Sequence, residues 1–186
     1  MPGFERGRNL KKLGMKSQDT AELFFNDVQV PQENVLGQVD FGFYYLMQML
    51  AQERLTNACC AIAGAKAAYD VTKTYVTERK AFGREIAKFQ NTRFKMAEMK
   101  TEIDIGQVFV DRCVMDHNQQ KLKDDIAAEA KLWTTELLCK VVDQCVQLHG
   151  GAGYMWEYPI TKMYANARIQ RIFAGTSEIM KEIIGR

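Results

Sequence analysis

The stretch Phe41–Lys66, FGFYYLMQMLAQERLTNACCAIAGAK, determines the predicted fold. Its only charges before Lys66 are Glu53 and Arg54, which stand side by side at its middle, and apolar or small residues fill most other positions. A helix that is apolar all round is typically buried. We therefore predict a buried helix that begins near Phe41 and continues to about Lys80.

Glu53 is the candidate functional group of this helix. Residues three and four positions away, such as Met49, Leu50 and Asn57, share its helical face. A carboxylate among apolar side chains acquires a raised pKa and becomes a usable base. Structural ion pairs also perturb pKa values, so spacing alone favours a structural Glu53–Arg54 pair or a solvated notch.

Composition limits the function classes. The 186 residues are enough for one domain, or one domain plus a piece of another. The 25 basic and 23 acidic residues are spread along the chain, which argues against nucleic-acid binding. Glu53 and Arg54 would each cost about 2.5–3.5 kcal/mol at the centre of a bilayer, which argues against a transmembrane segment. The N-terminus does not read as a signal peptide.

Other segments have local signals for helices and turns. Met1–Gly14 reads as a loop, and Thr20–Pro31 as a strand, or two short strands, whose partners lie elsewhere. Gly83 would stop the first helix. Further helices are predicted from near Asn91 to His117, from Asp124 to His149, over Pro159–Gln170, and from a Thr176 or Ser177 cap to Ile184. The pattern indicates an all-α up-down bundle behind a short β segment.

The polar motifs are unspecific when taken singly. Neither histidine has a glutamate three residues before it, so a di-iron site is not expected. The glycines of QLHGGAGY (147–154) suit a helix stop or a close backbone approach to a ligand. Arg79 in ERKAFG suits either a solvated helix end or a phosphate. The five cysteines lack a CxxC pair and are read as small buried hydrophobes in a reducing compartment.

Taken in order, five motifs resemble the C-terminal part of the acyl-CoA dehydrogenase family. They are AELFFNDVQVP (21–31), AQERL (51–55), ERKAFG (78–83) followed by FQ (89–90), QLHGGAGYMWEYPI (147–160) and IFAGTSEI (172–179). The resemblance extends from about residue 3 to residue 186. It implies the end of a middle β domain at residues 1–38 and the C-terminal helical domain at 39–186. The N-terminal helices and most of the β domain would be missing.

The resemblance also implies a reaction. Family members remove the α and β hydrogens of an acyl-CoA thioester: a glutamate takes the α proton, and the β hydride passes to N5 of FAD. Most branches carry that glutamate at the position of Ala174, whereas the long-chain and isovaleryl branches carry it in an ERL context. Glu53 of Glu53-Arg54-Leu55 is therefore the implied base. The Ala174 N–H would still bind the thioester carbonyl.

Further residues are implied by the same matching. The FAD contacts would be Arg79, Gln90, Gln147, Leu148, His149, Gly150, Gly151, Thr176, Ser177 and Glu178, several of them across a subunit interface. The substrate contacts would be Tyr44, Arg54, Ala174 and Gly175.

The motifs look most like long-chain members, and the resemblance implies a dimer or tetramer that passes electrons to electron-transfer flavoprotein. The expected location is the mitochondrial matrix in a eukaryote and the cytoplasm in a bacterium. The chain alone would be inactive. The alternatives are an isovaleryl-type enzyme for short or branched acyl groups and a non-catalytic helical oligomerisation module.

Overall fold

The structure is a computed structural model that describes residues 1–186. It divides into two compact units, Met1–Met49 and Leu50–Arg186. Six α-helices and the short 3-10 turns together contain 66% of the residues, and a small two-stranded sheet lies near the N-terminus, which confirms the predicted fold class. The predicted domain limits, 1–38 and 39–186, stay a prediction.

The first unit contains a sheet that corrects two expectations. Strands β1 (Phe4–Asn9) and β2 (Ala21–Phe25) pair antiparallel, with Phe4 opposite Phe25 and a register shift between Arg6 and Asn9. The rings of Phe4 and Phe25 lie 5.2 Å apart. The segment 1–14 was predicted to be a loop and the partner of β2 to lie elsewhere. Both predictions were wrong because FERGRN forms a strand without apolar alternation.

The predicted continuous helix is two helices. Helix α1 (Gly42–Gln48) ends at Met49, and helix α2 runs over Leu50–Glu78. No residue of α1 is buried, so the expectation of burial was wrong for this part. Its aromatic side chains pack on one another instead: Phe41 and Tyr44 lie 5.4 Å apart, and the Tyr45 hydroxyl accepts a hydrogen bond from the Gln38 N–H at 3.0 Å.

The second unit is built from five helices. A hairpin follows α2: strands β3 (Lys80–Ala81) and β4 (Arg84–Glu85) pair across Phe82 and Gly83, which both adopt positive φ. The remaining helices are α3 (Gln90–Asn118), α4 (Asp124–His149), α5 (Pro159–Ala167) and α6 (Ser177–Ile184). Short 3-10 turns cover Ile86–Lys88, Gly150–Tyr154 and Arg168–Arg171, and one covers Gln32–Asn34 in the first unit. These bounds agree closely with the predicted helices.

Helix α4 is the centre of this unit and contacts α2, α3, α5 and α6. Residue numbers increase in the same direction along α2 and α4. Gly64 faces Leu138, and further along both helices the Cys145 thiol donates to the Ala68 carbonyl. The two helices are therefore parallel. Helix α3 is antiparallel to them, which gives the predicted up-down order. The buried core includes Leu55, Ala58, Ile62, Ala65, Met99, Ile103, Val110, Leu137, Leu138, Val141, Val142 and Ile160.

The buried face of α4 includes Ala130, Leu137, Val141 and Cys145, whereas Trp133, which has the same helical spacing, is 47% exposed. Polar residues occupy part of the buried face instead, namely Lys131, Thr134 and Thr135.

No helix combines the length and apolar character that a membrane crossing requires. The five cysteines are free: Cys113 and Cys145 are buried, Cys59 and Cys139 are half-buried, and Cys60 is exposed, which corrects its expected burial.

Candidate active site and cofactor-binding residues

The predicted site residues of the second unit gather near the two ends of α2. Arg54 marks one end and Tyr75 the other, and 21 residues of helix separate them by about 32 Å. The predicted base lies at the Arg54 end, whereas most predicted cofactor contacts lie at the Tyr75 end. The predicted site residues of this unit therefore form two separate groups, one at each end of α2.

Glu53 lies in the first turn of α2 and its side chain is exposed. The expectation that its carboxylate is buried among apolar side chains was therefore wrong within this chain. The neighbouring Arg54 shows the opposite pattern: it is only 6% exposed, and its Nε has no hydrogen-bond partner. Spacing alone favoured a structural Glu53–Arg54 pair or a solvated position. The two residues form no ion pair, and the exposed Glu53 fits the solvated position.

Lys131 of α4 joins this end of α2 to the C-terminal part of the chain. Its side chain is fully buried, and its Nζ donates a hydrogen bond to the Gly175 carbonyl at 2.5 Å. Burial lowers the pKa of Lys131, and the nearby Arg54 charge lowers it further, while Glu136 and Glu178 act in the opposite direction. The buried ammonium group of Lys131 thus holds the Gly175 carbonyl.

Glu136 is the carboxylate of this cluster. Its Oε1 accepts hydrogen bonds from Arg171 Nε at 2.8 Å and from the Ser177 hydroxyl at 2.7 Å. Arg171 pairs with Glu136, and the charges of Glu136 and Arg54 both act on the buried Lys131. We call Arg54, Lys131, Glu136 and Arg171 the cationic cluster. Asn57 Nδ2 donates to the Gln170 carbonyl at 3.5 Å beside it, and the Gln170 Oε1 is buried without a partner.

Residues 174 and 175, whose backbone Lys131 contacts, form a strained turn. Ala174 (φ 52°) and Gly175 (φ 93°) are both left-handed, a conformation that is uncommon for alanine. The φ of Gly175 favours glycine, because an L side chain would be strained there, and a Cβ would also come within 2.6 Å of the flexible Met180 Cε. The Ala174 N–H donates no hydrogen bond to the chain. Thr176 then caps α6, its Oγ1 accepting from the Ile179 N–H at 3.3 Å, as predicted.

The other end of α2 carries an aromatic stack of Tyr75, His149 and Tyr158. The Tyr75 and His149 rings are stacked 4.1 Å apart, and both meet Tyr158 edge to face. The Tyr75 hydroxyl donates to the His149 carbonyl at 3.2 Å, and His149 Nδ1 lies 2.8 Å from the Cys145 carbonyl, to which it donates. Burial lowers the pKa of His149, which is only partly offset by this hydrogen bond.

The predicted cofactor residues near this stack form an exposed set of donors. Arg79 follows α2, Gln90 begins α3 and Gln147 lies in the last turn of α4, and all three are exposed. Gly150 adopts φ 59°, and nothing lies within 4 Å of a Cβ built on Gly150 or Gly151. A guanidinium, two amides and open backbone fit the phosphates and polar edges of a dinucleotide such as FAD. The side chains of Leu148 and His149 instead face the interior.

The remaining predicted contacts are separate from this set. Ser177 is buried with its hydroxyl on Glu136, which leaves only its backbone for a ligand. Glu178 is exposed, and hydrogen bonds from its own N–H and from Thr176 lower the pKa of its carboxyl. Tyr44 is an exposed residue of α1 in the first unit.

Sequence reasoning missed Lys131, Glu136 and Arg171. A signal for Lys131 exists: Ala128, Lys131, Thr135, Leu138, Val142 and Cys145 recur at intervals of three and four residues, and all six are buried. A lysine on such a stripe indicates a buried ammonium group that needs an acceptor. No comparable pattern marks Glu136 or Arg171.

Comparison with known proteins agrees with this architecture. The model of the acyl-CoA dehydrogenase C-terminal domain matches residues 40–186. The mitochondrial long-chain specific acyl-CoA dehydrogenase of Mus musculus is 52% identical over the whole chain, which spans 43% of that protein. The mitochondrial isovaleryl-CoA dehydrogenase of Oryza sativa is 40% identical over the whole chain, which spans 46% of it.

Solved structures give the same result. The crystal structure of an acyl-CoA dehydrogenase from Geobacillus kaustophilus superposes with a TM-score of 0.97 at 48% identity, over 100% of this chain and 49% of that one. An acyl-CoA dehydrogenase from Bacillus anthracis complexed with FAD has a TM-score of 0.93 at 30% identity, over 98% of this chain and 35% of that one.

The fold and the matched model together define a helical C-terminal domain of the dehydrogenase type. The chain belongs to the acyl-CoA dehydrogenase family, as its motifs predicted, and its similarity to long-chain members is high. It spans less than half the length of the curated relatives named above.

Proposed function

We propose that the protein takes part in FAD-dependent α,β-dehydrogenation of acyl-CoA thioesters, with Glu53 as the catalytic base. The observation that carries this proposal is the link between the start of α2 and the Ala174–Gly175 turn. Arg54 is near enough for its charge to lower the pKa of Lys131, and Lys131 binds the Gly175 carbonyl. Glu53 directly precedes Arg54, and the unpaired N–H belongs to Ala174, which directly precedes Gly175. The cationic cluster therefore links the segments that carry the proposed base and the proposed N–H donor.

In the proposed reaction, Glu53 accepts the α proton of the bound thioester. The charge that develops on the thioester oxygen is stabilised by the Ala174 N–H, because preorganised donors act most strongly where charge appears in the transition state. FAD supplies the acceptor for the β hydride when it is bound. Glu53 is exposed in this chain, so the substrate and the remainder of the protein would have to exclude water from it.

The separation of the site residues supports a shared arrangement between subunits. Arg79, Gln90 and the Gln147–Gly151 backbone lie near the Tyr75 end of α2, about 32 Å from Arg54. We propose that they hold the FAD of a neighbouring subunit in a dimer or tetramer. Thr176, Ser177 and Glu178 would contact the chain's own cofactor through the start of α6, where backbone N–H groups are available.

We propose a long-chain substrate, since identity is 52% to the long-chain relative and 40% to the isovaleryl relative. Tyr44, Arg54, Ala174 and Gly175 are the proposed substrate contacts. Electrons would pass to electron-transfer flavoprotein, and a eukaryotic protein would act in the mitochondrial matrix. Rates on straight long-chain against short branched acyl-CoA separate the two branches: faster turnover of the branched thioester would assign the isovaleryl type.

The test of Glu53 is Glu53→Gln in the full-length, FAD-loaded protein. Anaerobic bleaching of the flavin absorbance by acyl-CoA should slow by roughly 100- to 10,000-fold, the usual contribution of a general base, while flavin stays bound. Glu78→Gln is the matched control, because Glu78 is an exposed carboxylate at the other end of α2. Bleaching of Glu53→Gln at the wild-type rate would remove Glu53 from this role.

A further inference from the structure

Lys131 has a contact that the proposed chemistry does not use. Its ammonium group is fully buried, and its one hydrogen bond goes to the Gly175 carbonyl, not to a carboxylate. The neighbouring Glu136 already accepts from Arg171 and Ser177 through Oε1. Burying a cation without an ion pair is unfavourable, and an apolar side chain of similar size is often more stable in such a place. Stability therefore does not explain this lysine.

The segment that Lys131 holds is unfavourable in isolation. Ala174 and Gly175 both have positive φ, and such conformations persist only where the surroundings fix them. Two contacts flank this pair from the α4 side. Lys131 binds the carbonyl of Gly175, and the Ser177 hydroxyl binds Glu136 two residues later. On the preceding side, the Phe173 N–H donates to the Ile169 carbonyl at 3.1 Å.

The Ala174 N–H lies one residue before the Gly175 carbonyl and points to no acceptor in the chain. Only the dihedral angles of Ala174 and Gly175 separate these two groups, so fixing the carbonyl limits the directions that the N–H can take. We propose that Lys131 is a positioning residue, which holds the Gly175 carbonyl and thereby keeps the Ala174 N–H directed at the thioester oxygen of the substrate. This inference rests on the proposed function.

The first experiment replaces the ammonium group by an apolar side chain of similar length, Lys131→Met, in the full-length, FAD-loaded protein. We expect kcat/KM for acyl-CoA to fall by about ten- to a hundredfold, the range that follows from a displaced catalytic contact. The thermal midpoint should stay equal or rise, because the buried charge is removed. Lys140→Met, an exposed lysine on the same helix, should change neither value substantially.

A second readout isolates the thioester oxygen. Affinity is measured for an acyl-CoA with sulfur in place of the β carbon, which lacks the hydride to be removed, and for the alkyl-CoA thioether, which lacks the carbonyl. Wild type should prefer the carbonyl ligand. Lys131→Met should lose most of that preference, while binding of the thioether changes less than twofold. Lys131→Gln, which keeps an N–H donor on a shorter side chain, should fall between the two and serves if the Met variant does not fold.

The outcomes separate the two proposals. If wild type turns over acyl-CoA and the carbonyl preference is unchanged in both variants, the role of Lys131 is wrong and the proposed function stands. If wild type has no turnover, the proposed function fails. Amide hydrogen exchange at residues 174–177 tests the hold on the turn without any activity: faster exchange in Lys131→Met supports it, and unchanged exchange overturns it.

Discussion

At the Arg54 end of α2, the buried Arg54 and Lys131 lie near the Arg171–Glu136 ion pair. At the Tyr75 end, aromatic rings stack on His149, and burial lowers the pKa of that histidine. Two buried side-chain atoms without a hydrogen-bond partner, Arg54 Nε and Gln170 Oε1, lie at the first end, and none lies in the aromatic stack. The same helix thus carries unmet polar groups at one end and a closed hydrogen-bonded stack at the other. Unmet buried groups of this kind are typical of functional sites.

The contrast is tested most strongly by removing the carboxylate of the cationic cluster. Glu136→Gln should lower the free energy of unfolding by about 2 kcal/mol, less than the ~3–5 kcal/mol of a fully buried pair because both partners are partly exposed. Urea denaturation measures the change. Glu102→Gln, which removes the exposed Lys140–Glu102 pair, is the control and should cost less than about 1 kcal/mol. Equal costs would mean that the cluster is an ordinary surface network.

Arg54 offers a change of opposite sign. It forms no ion pair within the chain and is almost fully buried, so Arg54→Met should raise the free energy of unfolding of the 186-residue chain by about 1 kcal/mol. Arg112→Met on α3, an exposed arginine, should stay within ±0.5 kcal/mol. A clear loss of stability in Arg54→Met would show that the chain itself compensates this charge.

The aromatic end should respond to pH, with the smallest effect of the three. Because burial holds the pKa of His149 below its ordinary 6.5, the unfolded chain takes up this proton more readily than the folded chain. Stability is therefore lost as pH falls from about 6.5 through the folded-state pKa. His149→Phe should make the free energy of unfolding less dependent on pH in this window.

His117→Gln on α3 is the control for that measurement and should leave the pH slope in place. Unfolding curves at several pH values between 7 and 5 suffice. If the free energy of unfolding of His149→Phe depends on pH as steeply as that of wild type, burial does not disfavour the charged form of His149.

The helix limits could be predicted because their signals are local. Asp124 and Asp125 at the start of α4, the glycines after His149 and the Thr176 cap all act within one turn of the helix they limit. Burial was harder to predict, since it depends on distant partners. The apolar residues of α1 gave no sign that they are exposed, and neither glycine nor proline marks the break at Met49.

The candidate site residues stay predictions from the family motifs, and the contacts among them could not be predicted from the sequence. Family motifs indicated Glu53, Ala174 and Gly175, but the hydrogen bond from Lys131 to the Gly175 carbonyl joins residues 44 positions apart. No periodicity within one helix contains that information. The exposure of Glu53 has the same origin, because a helical face is buried only by what packs against it.

The Ala174 side chain is exposed, while the backbone on which it stands is anchored through Gly175 and Ser177. The backbone conformation of residue 174 is therefore fixed by contacts that do not involve its own side chain. An exchange of residue 174 alters what projects into the site without moving the amide beneath it. In the proposed reaction, this arrangement lets the proton acceptor lie elsewhere in the chain, at Glu53, while the Ala174 N–H keeps its place for the thioester carbonyl.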